Sequence, residues 1–305
     1  MGREWSWREA RVKGREEWAS LLRGKLKGRV LGPLGGVRDV APMAQGKKGL
    51  VFLVEGDLGR GVLRLYGDPL VLARTRKVYG LCRGAGVSVA RICLFEVGGR
   101  WLRHGVWGVS LEEWVDAWRG GGEPVLFELA RLHTVRRSRW GDPLWGRQGE
   151  WLDMEMERVH SRLERWSQWL GVDVSPYREW LEEMRRCLTP LESYSLVHGD
   201  VALANLGARG EDPVLLDLDR AFFAHPLLDV AALVHHFPGI GKESLDDYLS
   251  VLGFTPRDWT FFLFLFHLKR LVRALKHYRK GEEEWGEVVQ AHGEWLESVV
   301  KNGGD

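Results

Sequence analysis

The segment Ser195–Leu206, SLVHGDVALANL, sets a carboxylate, Asp200, five residues ahead of a carboxamide, Asn205, directly after an apolar run. A second apolar run, PVLLDLD, stops at Asp217 and Asp219. An apolar run that ends abruptly in an acid puts that acid at a strand end, in the mouth of a site. These residue types suit phosphoryl transfer. A carboxylate accepts the proton of an attacking hydroxyl, and a carboxamide oxygen with a second carboxylate are the hard ligands that Mg²⁺ takes beside nucleotide phosphates. The pattern His-Gly-Asp-x₄-Asn arises by chance in a chain of this length with odds on the order of one in a thousand. Taken singly, Asp200 and Asn205 read as turn formers and His198 as a core histidine. Taken together, and followed by a strand that ends in acid, they favour a site.

Two strands have to deliver these groups, one running through YSLV into Asp200 and one through PVLL into Asp217. The loop carrying Asn205 joins them into a small hairpin. The rest of the C-terminal part has helical spacing, over 125–136, 151–170, 176–188, 243–251, 256–279 and 283–300. Upstream, the alternating runs VRDVAPMA, LVFLVEG and VLRLYG, separated by glycine-containing turns, predict a three-stranded antiparallel meander. Residues 69–85 have helical spacing, and GVSVARICLFEVGGRWLRHGVW predicts two further strands joined at Gly98-Gly99. Ser110 and Glu113 make a capping box at the head of SLEEWVDAW, which predicts a helix there. The fold class is therefore α+β. A small antiparallel β-sheet lobe (1–107) with a basic N-terminal helix precedes a hinge near Gly105–Gly108 and a larger, mostly helical lobe (108–305).

Bulk properties narrow the function. The chain has 305 residues, 45% of them hydrophobic, which is enough for a sizeable core and excludes a disordered chain. A net charge of +2 is too small to argue for a nucleic-acid partner. Residues 1–29 carry nine Lys/Arg against four Glu, so that segment is +5 and the remainder −3. It reads as an amphipathic helix packed on the domain, or alternatively one lying on an anionic surface. Three cysteines without paired spacing indicate a reducing compartment and no zinc site. The charged N-terminus does not read as a signal peptide. The most apolar run, FFLFLFHL, falls far short of the ~20 residues needed to span a bilayer. A cytoplasmic location is expected.

Several blocks carry a resemblance. LVHGDVALANL resembles the catalytic-loop motif of the aminoglycoside phosphotransferase / choline kinase superfamily, and VLLDLDRA its metal-binding motif. LARLHTV is similar to its Leu-Ala-x-Leu-His helix, and HPLLDVAALV to its Asp-containing helix start. VLRLYG is similar to the third strand of choline kinases, where Arg often replaces Lys. The blocks span about residues 40–235. The stretch LDLDRA with its His-Pro sequel also resembles spore-coat-associated members.

The resemblance implies a protein-kinase-like, two-lobed fold and transfer of the γ-phosphoryl group of Mg-ATP (or GTP) to a hydroxyl of a small molecule. It makes Asp200 the catalytic base, with His198 bracing the loop. Asn205 and Asp217 would hold Mg²⁺, with Asp219 a further ligand or a structural acid. Arg64 would reach the nucleotide phosphates, which the QGKKG turn would cover through Gly46 and Lys47 or Lys48. The segment His104–Trp107 would offer backbone groups to the base. Asp229 reads as a helix cap. The acceptor stays open. Glu150, Asp153, Glu155 and Glu157 with Trp140, Trp145 and Trp151 would suit a cationic aminoglycoside or choline, whereas VRRSR argues for an anionic partner.

One departure counts against turnover. The family pairs the third-strand Lys or Arg with a Glu on the next helix. Between Asp68 and Glu96 this chain has no acid, and Arg76 stands in that register. Arg64 then needs Asp68 or an acid from elsewhere. A kinase-like binding or structural protein with weak or no catalysis is therefore the competing reading. A protein kinase is disfavoured, because Gly199 stands where those enzymes have Arg and no activation-loop motif follows Asp219.

Overall fold

The computed structural model describes residues 15–43, 50–97 and 106–303. In chain order the elements are helix α1 (Arg15–Leu26), strands β1 (Val37–Pro42), β2 (Leu50–Gly56) and β3 (Arg60–Tyr66), helix α2 (Pro69–Gly84), strands β4 (Ile92–Val97), β5 (Gly108–Glu113) and β6 (Asp116–Ala117), helix α3 (Gly122–His133), strand β7 (Arg136–Arg137), helices α4 (Trp151–Leu170) and α5 (Ser175–Cys187), strands β8 (Tyr194–Val197), β9 (Leu206–Arg209), β10 (Asp212–Leu215) and β11 (Phe222–Ala224), and helices α6 (Leu227–His236), α7 (Lys242–Leu252), α8 (Pro256–Tyr278) and α9 (Gly286–Lys301). The chain divides into two compact units, Met1–Arg119 with Ala204–Asp219, and Gly120–Leu203 with Arg220–Asp305. The first unit therefore runs on past residue 107, where the sequence suggested a division, and takes in the β9–β10 hairpin.

In the first unit five antiparallel strands lie in the order β1-β2-β3-β5-β4. The two-residue period of a strand decides what each face carries. Leu63 and Leu65 of β3 and Val109 and Leu111 of β5 share one buried core with Phe52, Val54 and the Trp18, Ala19, Leu22 and Leu26 stripe of α1. From Arg15 onward the basic N-terminal segment is thus a helix packed on the sheet, and residues 1–14 lie outside the described residues. Arg64, Tyr66, Ser110 and Glu112 alternate with those core residues, so they occupy the other face.

The expected helix over SLEEWVDAW is corrected. Ser110–Glu113 belong to β5, where Ser110 sits opposite Arg64 of β3 and Phe95 of β4. Pairing on both sides overrides a local capping box. The second strand predicted after β4 accordingly begins at Gly108.

The small hairpin expected to join the two motif strands is also corrected. Strand β8 lies between β11 and β7 in the second unit, whereas β10 pairs with β9, and β9 with β6, in the first. The two strands sit in different sheets.

The second unit is built mainly of helices. FFLFLFHL lies within α8, where Phe261, Phe262, Phe264, Leu265 and Leu268 are buried. Phe262 stacks on Trp151 at 6.0 Å between centroids, and Phe264 meets Trp180 at 4.6 Å. Thr255 and Asp258 cap α8 reciprocally. No described helix is long and apolar enough to cross a membrane.

Candidate active site

Arg64 does have a buried counter-ion. Its Nε lies 3.0 Å from Glu112 Oε1, and the Glu112 side chain is only 5% exposed. The acid comes from the neighbouring strand, two residues beyond Ser110 and therefore on the face Arg64 shares. Asp68, the substitute suggested by sequence, instead accepts from Leu70 N at 2.8 Å and caps α2. Helix α2 turns Thr75 and Tyr79 toward this face, while Arg76 lies on its exposed side. The Tyr79 hydroxyl donates to Glu112 Oε2 at 3.3 Å and the Ser110 hydroxyl to Oε1 at 3.2 Å. Tyr66 and Ser110 hydroxyls meet at 3.0 Å. Burial works against the charge on Arg64, but Glu112, followed by Tyr79, Asp217 and Asp219, outweighs it and holds the guanidinium firmly protonated. Removing one partner of a buried ion pair strands the other. Glu112→Ala is therefore expected to lower stability by roughly 3–5 kcal/mol in urea unfolding. A loss below about 1 kcal/mol, the level of an exposed pair, would show that Glu112 is not the working counter-ion.

Arg64 also reaches the end of the β9–β10 hairpin. Its Nη1 is 3.2 Å from Asp217 Oδ1 and 3.8 Å from Asp219 Oδ2. Asp219 in turn accepts from the Thr75 hydroxyl at 3.2 Å. The ladder ends at the Leu215–Leu206 pair, and Leu216 N donates to Asn205 O at 2.9 Å. Asn205 and Asp217 thus emerge from the same end of one hairpin. Asp217 is the one described non-glycine residue with positive φ, +54°. Asp tolerates this region better than most residues, and such strain persists where the surroundings enforce it.

The donor chemistry fits Mg²⁺. Among the described residues no group of three or more His, Cys, Asp or Glu is arranged to hold a metal alone. Mg²⁺ rarely takes an all-protein cage; it keeps waters and binds one or two carboxylates together with substrate phosphates. Asn205 and Asp217 supply hard oxygens of that kind. Glu112 and Asp219 are both pushed above their ordinary carboxylate values, mainly by burial, with neighbouring carboxylates adding to it and Arg64 opposing it. This corner of the first unit accordingly holds more acid than Arg64 neutralises.

In the second unit, His198 and Asp200 sit on the loop after β8. His198 is buried and Asp200 half-exposed, with Arg220 Nη1 3.5 Å from Asp200 Oδ2. Asp229 fixes the loop. Its Oδ2 accepts the backbone N–H of His198 at 2.6 Å, and its Oδ1 that of Gly199 at 2.8 Å. His133 Nε2 lies 3.2 Å from Asp229 Oδ2, and His133 Nδ1 meets the Tyr248 hydroxyl. Asp229 is therefore not the helix cap expected from sequence. The cap position of α6 is Pro226, with no side-chain bond. Gly199 has φ +75°, and a Cβ there would come within 2.9 Å of both Arg220 O and the Phe222 ring. Glycine, and not the Arg of protein kinases, fits this turn.

Other expected contributors are placed as follows. Trp107 is exposed, and its N–H donates to Tyr66 O at 2.7 Å, committed to the sheet. Gly46, Lys47, Lys48 and His104 lie outside the described residues. Glu112, Thr75, Tyr79 and Tyr248 went unrecognised in the sequence, and His133 was seen only as the last residue of the Leu-Ala-x-Leu-His block, with no role attached. Of the four, only Glu112 had a visible signal, the alternation Gly108, Ser110, Glu112 against Val109, Leu111.

An α+β fold of this kind, with an acid-rich hairpin end and a braced His-Gly-Asp loop, defines a kinase-like phosphotransferase class. Similar solved structures show the same fold. The crystal structure of aminoglycoside phosphotransferase APH(4)-Ia has a TM-score of 0.64 at 14% identity, covering 96% of this chain and 100% of that one. Choline kinase LicA from Streptococcus pneumoniae has a TM-score of 0.55 at 13% identity, covering 93% and 98%. No curated protein matches the sequence. The phosphotransferase enzyme family model matches residues 39–265, and the chain belongs to that family.

Proposed function

We propose that this protein transfers the γ-phosphoryl group of Mg-ATP (or GTP) to a hydroxyl of a small molecule, an aminoglycoside, choline or sugar-like compound. The observation that carries this reading is the Arg64–Glu112 pair beside Asp217. It supplies the counter-ion whose absence from α2 had favoured a binding protein without turnover. A thermostable mutant of APH(4)-Ia, a structural neighbour, has been crystallised as a ternary complex with AMP-PNP and hygromycin B, which supports a nucleotide and a small acceptor here.

In this reading Asp200 accepts the proton of the acceptor hydroxyl as its oxygen bonds to the γ-phosphorus and the bond to the β-phosphate oxygen breaks, releasing ADP. His198 and Asp229 hold the loop in place. Arg64 pairs with phosphate oxygens, and the resemblance would give Gly46 and Lys47 or Lys48 the phosphates and the backbone of His104–Trp107 the base. Asn205 and Asp217 would hold Mg²⁺, with Asp219 a further ligand or a structural acid, and the bound cation would neutralise charge on the nucleotide phosphates. Positioning and electrostatics then carry most of the barrier reduction. The three cysteines are free, in keeping with a reducing compartment, and we place the protein in the cytoplasm.

Asp217→Ala tests the metal assignment. With ATP at a hundred times its Kd, binding to the folded state alone stabilises by about 2.7 kcal/mol. That thermal shift is expected to require Mg²⁺ and to vanish in Asp217→Ala, while the nucleotide-free variant still folds and melts cooperatively. An unchanged Mg-dependent shift in the variant would refute the assignment.

A further inference from the structure

In the second unit, cations crowd the loop carboxylate Asp200. Glu155 of α4, nearly buried, is held from two sides by arginines of its own helix: Arg162 Nη1 is 2.8 Å from Oε1, and Arg158 Nη1 is 3.2 Å from Oε2. Arg220 lies 3.5 Å from Asp200. Helix α8 packs on α4 and brings Lys269 into the same group. The Lys269 amine is held below its ordinary value, first because surrounding protein displaces water, then by Arg162 and Arg220, against the pull of Glu155 and Asp200. Its side chain nevertheless remains open to solvent. Lys269 thus forms, with Arg162 and Arg220, a solvent-reached wall beside Asp200. Around Lys269, Arg162 and Arg220 stand with it against Glu155 and Asp200, three cations to two carboxylates, so the wall has one positive charge in excess.

Three of the four acids that sequence offered for a cationic acceptor are already engaged, and the fourth, Glu157, lies on the exposed side of α4. Glu155 is neutralised by its two arginines, Asp153 pairs with Arg185, and Glu150 accepts from the Tyr194 hydroxyl at 3.3 Å. A cationic acceptor approaching Asp200 would meet like charge. An anion would relieve the crowding, with the Arg162 fork and the Lys269 ammonium forming charge-assisted hydrogen bonds to it.

We infer that this wall binds an anionic group, phosphate or carboxylate, carried by the hydroxyl acceptor, with Lys269 and Arg162 as its recognition residues. The inference rests on the phosphotransfer reading for its purpose but not for its binding test. The acceptor class becomes a hydroxyl compound bearing its own negative charge, such as a phosphorylated polyol or a hydroxy acid.

The test is isothermal titration of the full chain, with Mg-AMP-PNP present, by glycerol 3-phosphate, glycerate, glycerol and choline. Each compound is also assayed for ATP-dependent ADP release. One or both anions are expected to bind, the tighter one identifying the group recognised, and glycerol and choline to bind about tenfold more weakly or not at all. Lys269→Met is expected to weaken anion binding by about tenfold or more without moving the affinity for Mg-AMP-PNP. The inference is overturned if neither anion binds, if choline or glycerol binds as tightly, or if Lys269→Met leaves anion affinity unchanged. It also fails if the variant slows ADP release equally for every acceptor at unchanged affinity, because the cations would then serve the transferring phosphoryl group. Lys269-dependent anion binding with no ADP release would uphold the anion site and count against the phosphotransfer reading.

Discussion

Asp200→Asn is expected to bind Mg-ATP as wild type does and to transfer the phosphoryl group roughly 10²–10⁴-fold more slowly. The substitution keeps the shape of the side chain and removes its ability to take a proton. The backbone around it should not move, because Asp229 fixes the loop through the His198 and Gly199 amides. Nor is Asp200 needed for folding, since it is half-exposed beside Arg220. The check is steady-state ADP release alongside the Mg-ATP thermal shift. A variant that lost both would point to a structural role, and one that kept both would remove Asp200 from the chemistry.

Asp229→Asn is expected to have the largest effect on stability. The side chain is buried and serves three donors, the His198 and Gly199 amides and His133. A carboxamide accepts through one oxygen only, and its NH₂ would face an amide N–H. One buried donor is then left unserved and a buried charge interaction is lost, at a cost of roughly 3–5 kcal/mol. The pH dependence follows from the same contacts. Burial favours the protonated carboxyl, but His133, His198 and the Gly199 amide outweigh it and hold Asp229 below its ordinary 3.8. An acid depressed in the folded state stabilises fully above its unfolded value, and the contribution is lost as pH falls through the lower folded value. The wild type should therefore lose part of its stability below about pH 4, and Asp229→Asn should lack that component. Denaturant unfolding at pH 7 and pH 3 measures it: the gap between wild type and variant should narrow at the lower pH. A gap that stayed constant would mean that the carboxylate charge carries none of the stability.

Much of this architecture could be read from residue patterns. Strands β1 to β3 were legible because their apolar residues alternate between glycine-rich turns. Helices α4 and α8 were legible because a 3.6-residue stripe runs between clear stops, Gly171 after one and Pro256 opening the other. Strand β5 was not, because Ser110 and Glu113 mimic a helix start and only the flanking strands make the extended form preferable. The partner strands of β8 were invisible for a different reason. At two and three residues, β7 and β11 are too short to show any period. Asp200, Asn205 and Asp217 declared themselves by type and spacing. Their supports did not: Glu112 reaches Arg64 across a strand pair, and Asp229 reaches its loop from 29 positions past Asp200. Contacts of that range leave no local trace in a single sequence.

The most direct test of the account is ADP release from ATP by the purified chain, with and without Mg²⁺, across small hydroxyl compounds that include aminoglycosides, choline, sugars, homoserine and phosphorylated polyols. Mg-dependent stimulation by at least one compound is expected in wild type and is expected to be abolished in Asp200→Asn. Stimulation that persisted undiminished in Asp200→Asn, or no stimulation by any compound together with no Mg-dependent nucleotide binding, would contradict it.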